Sequence, residues 1–218
     1  MKFIHMKKII TVLFTAAIIK IGFTQSFDKG NRNFDIKLDF AGYNGTVKDN
    51  QTKTEANSGA ASVILSPQMT WGTGKKISIG TSLSFSNYLD SASATGSNPT
   101  LRGLDANFLF DFHFLRRPKT DMMAGLKLGI AGIRYNADDG TGDIYGSMGR
   151  ASDIHLTGRF YVSDRVGIIA NLSIPNYRFN KFGKNLDYTY TINFRGVCIG
   201  TGVAIKLGGG KTQASTGK

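Results

Sequence analysis

Cysteine, glutamate, proline and long hydrophobic runs are all scarce in this chain of 218 residues. The single cysteine, Cys198, cannot close an intramolecular disulfide, which excludes small cross-linked secreted scaffolds and every multi-cysteine zinc site. Glu55 is the only glutamate, and with few strong helix formers the chain is a poor candidate for helices. With four prolines and 19% charged residues, the composition excludes collagen, coiled coil and acidic disorder. What the chain has instead is 27 glycines, 15 phenylalanines and a large share of Ser, Thr and Asn, the composition of strands and loops. No apolar run beyond the N-terminal region approaches the 18 or so residues of a transmembrane helix.

The N-terminal region reads as an export signal. Lys2, Lys7 and Lys8 form a basic start, Ile9–Ile19 is an apolar stretch too short to span a bilayer, and Gly22 and Thr24 suit cleavage before Gln25. The expected organisation is therefore a signal over 1–24, one β domain over 25–207 and a flexible polar tail over 208–218. The formal charge of +12 first suggests nucleic acid; removing the signal with its four lysines leaves +8, so a third of the excess is an address label.

The mature chain alternates apolar and polar residues with period two. Phe108, Phe110, Phe112 and Phe114 against Asn107, Asp111 and His113 is the strongest case. Comparable alternation surrounds Ile36, Leu65, Leu83, Leu126 and Leu128, Leu156, Ile168 and Leu172, and Ile199, which makes eight strands. Gly72–Lys75, Arg116–Asp121 and Ser163–Arg165 read as tight turns; Asn44–Ser58, Tyr88–Leu101, Asn136–Arg150 and Asn180–Asp187 read as long polar loops. Short and long connections alternate, as in an antiparallel up-and-down sheet with all its turns at one end. Pro67 inside the second strand predicts a bulge or local distortion, and an apparent change of apolar phase predicts another bulge near Arg195-Gly196.

Alternation alone does not say which face points inward. Strands of about 9–11 residues with an apolar outer band and aromatic girdles favour a membrane barrel. The expected girdle residues are Phe34, Trp71 and Phe114 at the turn end and Tyr88, Tyr177, Phe179 and Tyr188 at the loop end. Phe108, Phe110, Phe112, Leu126, Leu128, Ile168 and Leu172 then face lipid. Asp35, Lys37, Asp39, Asp105, Asp111, His113, Lys127, Asp153, His155 and Arg159 face the lumen, where mixed charges pair and fill an interior only wide enough for side chains. Lys75, Lys76, Arg116, Arg117, Lys119 and Arg165 cluster in the short turns as a ring for anionic headgroups on the periplasmic side, and Arg178, Lys181 and Lys184 lie where lipopolysaccharide phosphates would be.

With this pattern, residues 33 to 207 resemble the small outer-membrane β-barrels of the OmpA transmembrane-domain and OmpX type, in the Gly/Asn/Phe-rich style of Bacteroidetes outer-membrane proteins. The resemblance implies an all-β, eight-stranded antiparallel up-and-down transmembrane barrel in the outer membrane of a Gram-negative bacterium, inserted by the barrel-assembly machinery. Its lipid partners would be lipopolysaccharide and phospholipid headgroups. One departure is that such barrels commonly end on an aromatic residue, whereas this last strand ends Ile205-Lys206-Leu207 and a polar tail follows.

No motif marks a catalytic, cofactor or metal site. G-x-S-x-G and H-E-x-x-H are absent, Gly208–Thr212 lacks the first glycine and the context of a P-loop, and Asp138–Asp143 misses the spacing of an EF-hand. The neighbours Asp111 and His113, and Asp153 and His155, can orient a general base but are also what a polar lumen contains. The expected function is a non-enzymatic barrel with a plugged lumen and a structural or surface-interaction role. The alternatives are a narrow channel for small solutes, a soluble barrel for an apolar ligand, and a lipid-modifying barrel enzyme.

Overall fold

The computed structural model describes residues 30–74, 76–89, 100–136, 144–184 and 190–207. The signal, Lys75, Tyr188, the acidic stretch at 138–143 and the tail at 208–218 lie outside them. The described chain is eight long strands: β1 (Arg32–Asp49), β2 (Glu55–Gly72), β3 (Ile77–Leu89), β4 (Thr100–Arg117), β5 (Thr120–Asn136), β6 (Ile144–Tyr161), β7 (Val166–Lys184) and β8 (Tyr190–Lys206). Each pairs antiparallel with its sequence neighbours, and β1 pairs with β8, so the sheet closes into a barrel and leaves no edge.

Period-two alternation sets the facing. In β1, Asn33, Asp35, Lys37 and Asp39 are buried while Ile36, Leu38 and Phe40 are exposed; in β3, Ser78, Ser82, Ser84 and Ser86 are buried while Ile77, Ile79, Leu83 and Phe85 are exposed. The usual relation of polarity to burial is inverted around the whole wall. The outward apolar residues run from Leu104 to Phe114 on β4 and from Val166 to Ile174 on β7. At about 3.4 Å per residue and a tilt near 40°, that band is roughly 20–26 Å tall.

Above the band, toward the ends of β1, β3, β5 and β7, the pattern reverses. Asn44, Asn87, Arg102, Asn176 and Arg195 point outward, while Tyr43, Tyr88, Tyr177, Phe179, Ile192 and Phe194 are buried inside. This reversal corrects two expectations. Tyr88, Tyr177 and Phe179 are not girdle residues; they form an aromatic plug within the lumen. No bulge occurs near Arg195-Gly196 either, because β8 keeps continuous register with β1 from Asp49↔Tyr190 to Asn33↔Lys206. The apolar residues change face; the strand does not.

The loop end is more regular than its composition suggests. The stretch Asn44–Ser58 is mostly paired strand, with β1 and β2 in register as far as Lys48↔Glu55 and only residues 50–54 between them. A Lys48–Glu55 ion pair of 2.9 Å spans the last rung, and Lys53 takes a left-handed φ of 62° in the turn. The strands likewise extend into Asn136–Arg150 and Asn180–Asp187. Polar residues read as loop because outside the apolar band neither face of the wall has to alternate. The real register shifts lie at the rims, at His113/Leu115, Gly146/Gly149 and Phe179/Phe182. At Pro67 the β2–β3 ladder is interrupted between Leu65↔Phe85 and Gln68↔Ser82 without an inserted residue, so proline's missing N–H distorts the pairing and creates no bulge.

Candidate functional site

The lumen is the only place where this fold gathers buried chemistry among the described residues, and it is layered. Nearest the turn end, Tyr161, Ile169 and Ala204 form a small apolar floor, with Met123 buried as well. Above it Arg159, fully buried, is the hub of a cross-barrel network. Its Nη2 and Nε donate to Asp35 Oδ2 at 2.7 and 3.1 Å, its Nη1 to Asp121 Oδ2 at 3.2 Å, and Nη2 also to Thr70 Oγ1 at 3.3 Å. Gln68 donates to the same Asp35 oxygen at 2.8 Å. One guanidinium thus ties β6 to β1, β2 and β5.

The histidines take partners that sequence adjacency does not suggest. His113 Nδ1 lies 2.6 Å from Asp121 on β5; His155 Nε2 lies 2.8 Å from Asp111 on β4, while Asp153 holds Lys127 at 3.0 Å. Residues i and i+2 on one strand are almost 7 Å apart, while carboxylates from other strands of a narrow barrel come closer. Gly125 makes room for one of these contacts: a Cβ there would collide with Asp111 and His155.

The network also contains a Ser–His–Asp sequence of contacts. Ser78 Oγ is 2.9 Å from His113 Nε2, whose Nδ1 faces Asp121. Such geometry is how a nucleophilic triad is recognised. Here all three residues are at most 1% exposed, Arg159 shares the Asp121 carboxylate, and Asp111 Oδ2 lies 3.3 Å from Ser78 Oγ. A second carboxylate beside the nucleophile opposes the negative charge that an acyl-transfer transition state develops, where catalysis requires donors.

Toward the middle, Asn171 links Thr157 (2.7 Å) to Asp39 (3.2 Å), and Asn107 donates to Asp105 (3.0 Å). Between these groups and the plug remains a cavity of about 20 Å³, lined by Asp39, Asp105, Lys127, Asp153, Tyr177 and Cys198 among others. It has room for about one water molecule. The plug itself packs Tyr43, Tyr88, Tyr177, Phe179 and Phe194 with ring centroids 5.8–6.4 Å apart, in stacked and edge-on arrangements. Among the described residues no group of three or more His, Cys, Asp or Glu is placed to hold a metal ion.

All the residues expected in the lumen, Asp35, Lys37, Asp39, Asp105, Asp111, His113, Lys127, Asp153, His155 and Arg159, lie on the inward face, and Phe108, Phe110, Phe112, Leu126, Leu128, Ile168 and Leu172 lie on the outward face. Lys76, Arg116, Arg117, Lys119 and Arg165 sit at the turn end, where the connections are 73–76, 118–119 and 162–165. Sequence reasoning missed Asp121, read as part of a turn, and Ser78. The signal for Asp121 was parity: it shares its face with Lys127.

No protein-family model matches the chain, and a search of curated proteins finds no match. Solved structures do. The outer membrane protein OprG from Pseudomonas aeruginosa is 10% identical with a TM-score of 0.50, covering 87% of this chain and all of its own. The outer membrane protein AlkL, solved in lipid bilayers, is 9% identical with a TM-score of 0.50, covering 86% of this chain and 95% of its own. At such identities the likeness is one of fold, and it coincides with the closed eight-strand order, the apolar outer band and the polar filled lumen: the chain has the fold of the small outer-membrane β-barrel proteins.

Proposed function

We propose that this protein is a non-enzymatic barrel of the bacterial outer membrane, with a plugged lumen and a structural, surface-presenting role. The observation that carries the reading is the combination of an outward apolar band around the whole wall with an interior closed at three levels: the apolar floor, the Arg159 network and the aromatic plug. An apolar exterior of this extent is intolerable in water but satisfied by lipid, and barrel closure satisfies the backbone within the bilayer. The turn end faces the periplasm, and the loop end, with its polar extension of the wall, faces outside the cell. Its lipid partners are the headgroups of both leaflets, and the barrel-assembly machinery inserts it.

The test has two parts. The full-length protein should sediment with outer membranes and migrate differently on gels before and after boiling; recovery in the soluble periplasmic fraction sinks the reading. Reconstituted in planar bilayers, it should give no steady pore, because the Arg159 network and the aromatic plug cross the lumen and the cavity between them has room for about one water. Sustained conductance would instead support the narrow channel.

The buried triad gives a separate prediction. A serine-directed fluorophosphonate should leave the folded protein unlabelled, since Ser78 is fully buried beside Asp111. Labelling that disappears in Ser78→Ala would assign an enzyme activity and overturn the non-enzymatic part of the reading.

A further inference from the structure

The strand register assembles a surface that no linear segment contains. Five exposed arginines, Arg102 on β4, Arg134 on β5, Arg150 on β6, Arg178 on β7 and Arg195 on β8, share the outward face with the apolar band; four stand one or two outward positions beyond its last apolar residue at the loop end, and Arg150 stands between Ile154 of the band and the exposed Met148. Arg102 is directly opposite Arg134, and Arg150 directly opposite Arg178. Like charges at facing positions of adjacent strands repel and are normally avoided. Among the described residues, none of the five lies within ion-pair distance of a carboxylate, and Arg178 Nε donates to Asn180 Oδ1 at 3.0 Å. The outward positions that flank the arginines are uncharged, with Asn44 on β1 opposite Arg195 and Asn87 on β3 opposite Arg102, so the charge forms a collar over β4 to β8.

Guanidinium forks suit tetrahedral oxyanions, which they grip with paired hydrogen bonds, and two forks side by side match one multiply charged group. The height of the collar restricts what can bring that charge. It lies where acyl chains give way to headgroups, so the anion must be attached to a lipid whose chains lie along the adjoining wall. We propose that the collar binds the phosphates of an acylated, phosphorylated glycolipid of the outer leaflet, each facing arginine pair clamping one phosphate. This rests on the outer-membrane reading and adds a defined site to it.

The experiment uses the full-length protein in phosphatidylcholine nanodiscs, titrated with fluorescent bis-phosphorylated lipid A and with its dephosphorylated counterpart. The phosphorylated form should bind at least about tenfold more tightly, and R102Q/R134Q and R150Q/R178Q should each weaken it by about tenfold, the scale of losing a charge-assisted bond. The pair K48Q/K53Q removes as much charge from the same end outside the collar and should leave binding unchanged. Equal binding by wild type and the collar variants, equal loss in K48Q/K53Q, or indifference to the phosphates overturns the proposal. Displacement by inorganic phosphate at the same concentration as lipid overturns the lipid as the source. A wild-type chain that inserts but does not discriminate defeats the collar alone, whereas one that fails to insert defeats the outer-membrane reading with it.

Discussion

Replacing Arg159 with leucine is expected to destabilise the folded barrel by about 3–5 kcal/mol, measured as the shift in urea unfolding of the protein in lipid vesicles. Arg159, Asp35 and Asp121 have fully buried side chains, and the guanidinium bonds both carboxylates across the lumen. Deleting it leaves two desolvated negative charges without the guanidinium that bridges them, although Gln68 still donates to Asp35 and His113 still meets Asp121. The cost arises from that stranded charge more than from the attraction lost. A triple variant, Arg159→Leu with Asp35→Asn and Asp121→Asn, should therefore recover most of the stability. Lysine at 159 should not substitute well, because a single ammonium cannot reproduce the fork that reaches Asp35 through two nitrogens while holding Asp121 through a third. A loss below about 1 kcal/mol in the single variant, the scale of an exposed pair, would mean that the lumen is hydrated and the network is not what closes it.

How much of this was legible in the sequence follows from where each residue lies along the wall. Within the apolar band one face must meet lipid and the other must fill the lumen, so alternation is forced and parity assigns a residue such as Phe110 or His155 to its side. Beyond the band that constraint ends. Polar residues stand on the outside of strands that continue, as at Asn176 and Arg195, and the interior there fills with Tyr43, Phe179 and Phe194. Those stretches consequently read as loops, girdle and a phase change. Parity also says nothing about partners across strands. That His155 meets Asp111 on β4, and that Arg102 faces Arg134, depends on register, which is fixed by closure of the whole barrel.

The facing of the wall is open to a direct energetic test at Phe110. It is 52% exposed on β4, between Phe108 and Phe112 and near the middle of the outward run from Leu104 to Phe114. If that run spans the hydrocarbon, Phe110→Arg places a guanidinium near the midplane and should cost roughly 2–4 kcal/mol. Depth provides the internal control. Asn87→Arg combined with Arg102→Gln, which removes the like charge directly opposite, puts a guanidinium outward at the headgroup boundary and should cost about 0–1 kcal/mol. Ser82→Arg tests the other face: Ser82 is 4% exposed and points into the lumen, so its arginine must be packed among side chains already in contact and disrupts the filling instead of meeting lipid. The gradient from position 110 to position 87 separates a membrane wall from a soluble one. A surface in water would accept arginine at 110 at least as readily as at 87, and a flat profile, with the protein remaining in the aqueous phase, would invert the assignment of inside and outside on which the lipid contacts, the plugged lumen and the arginine collar all depend.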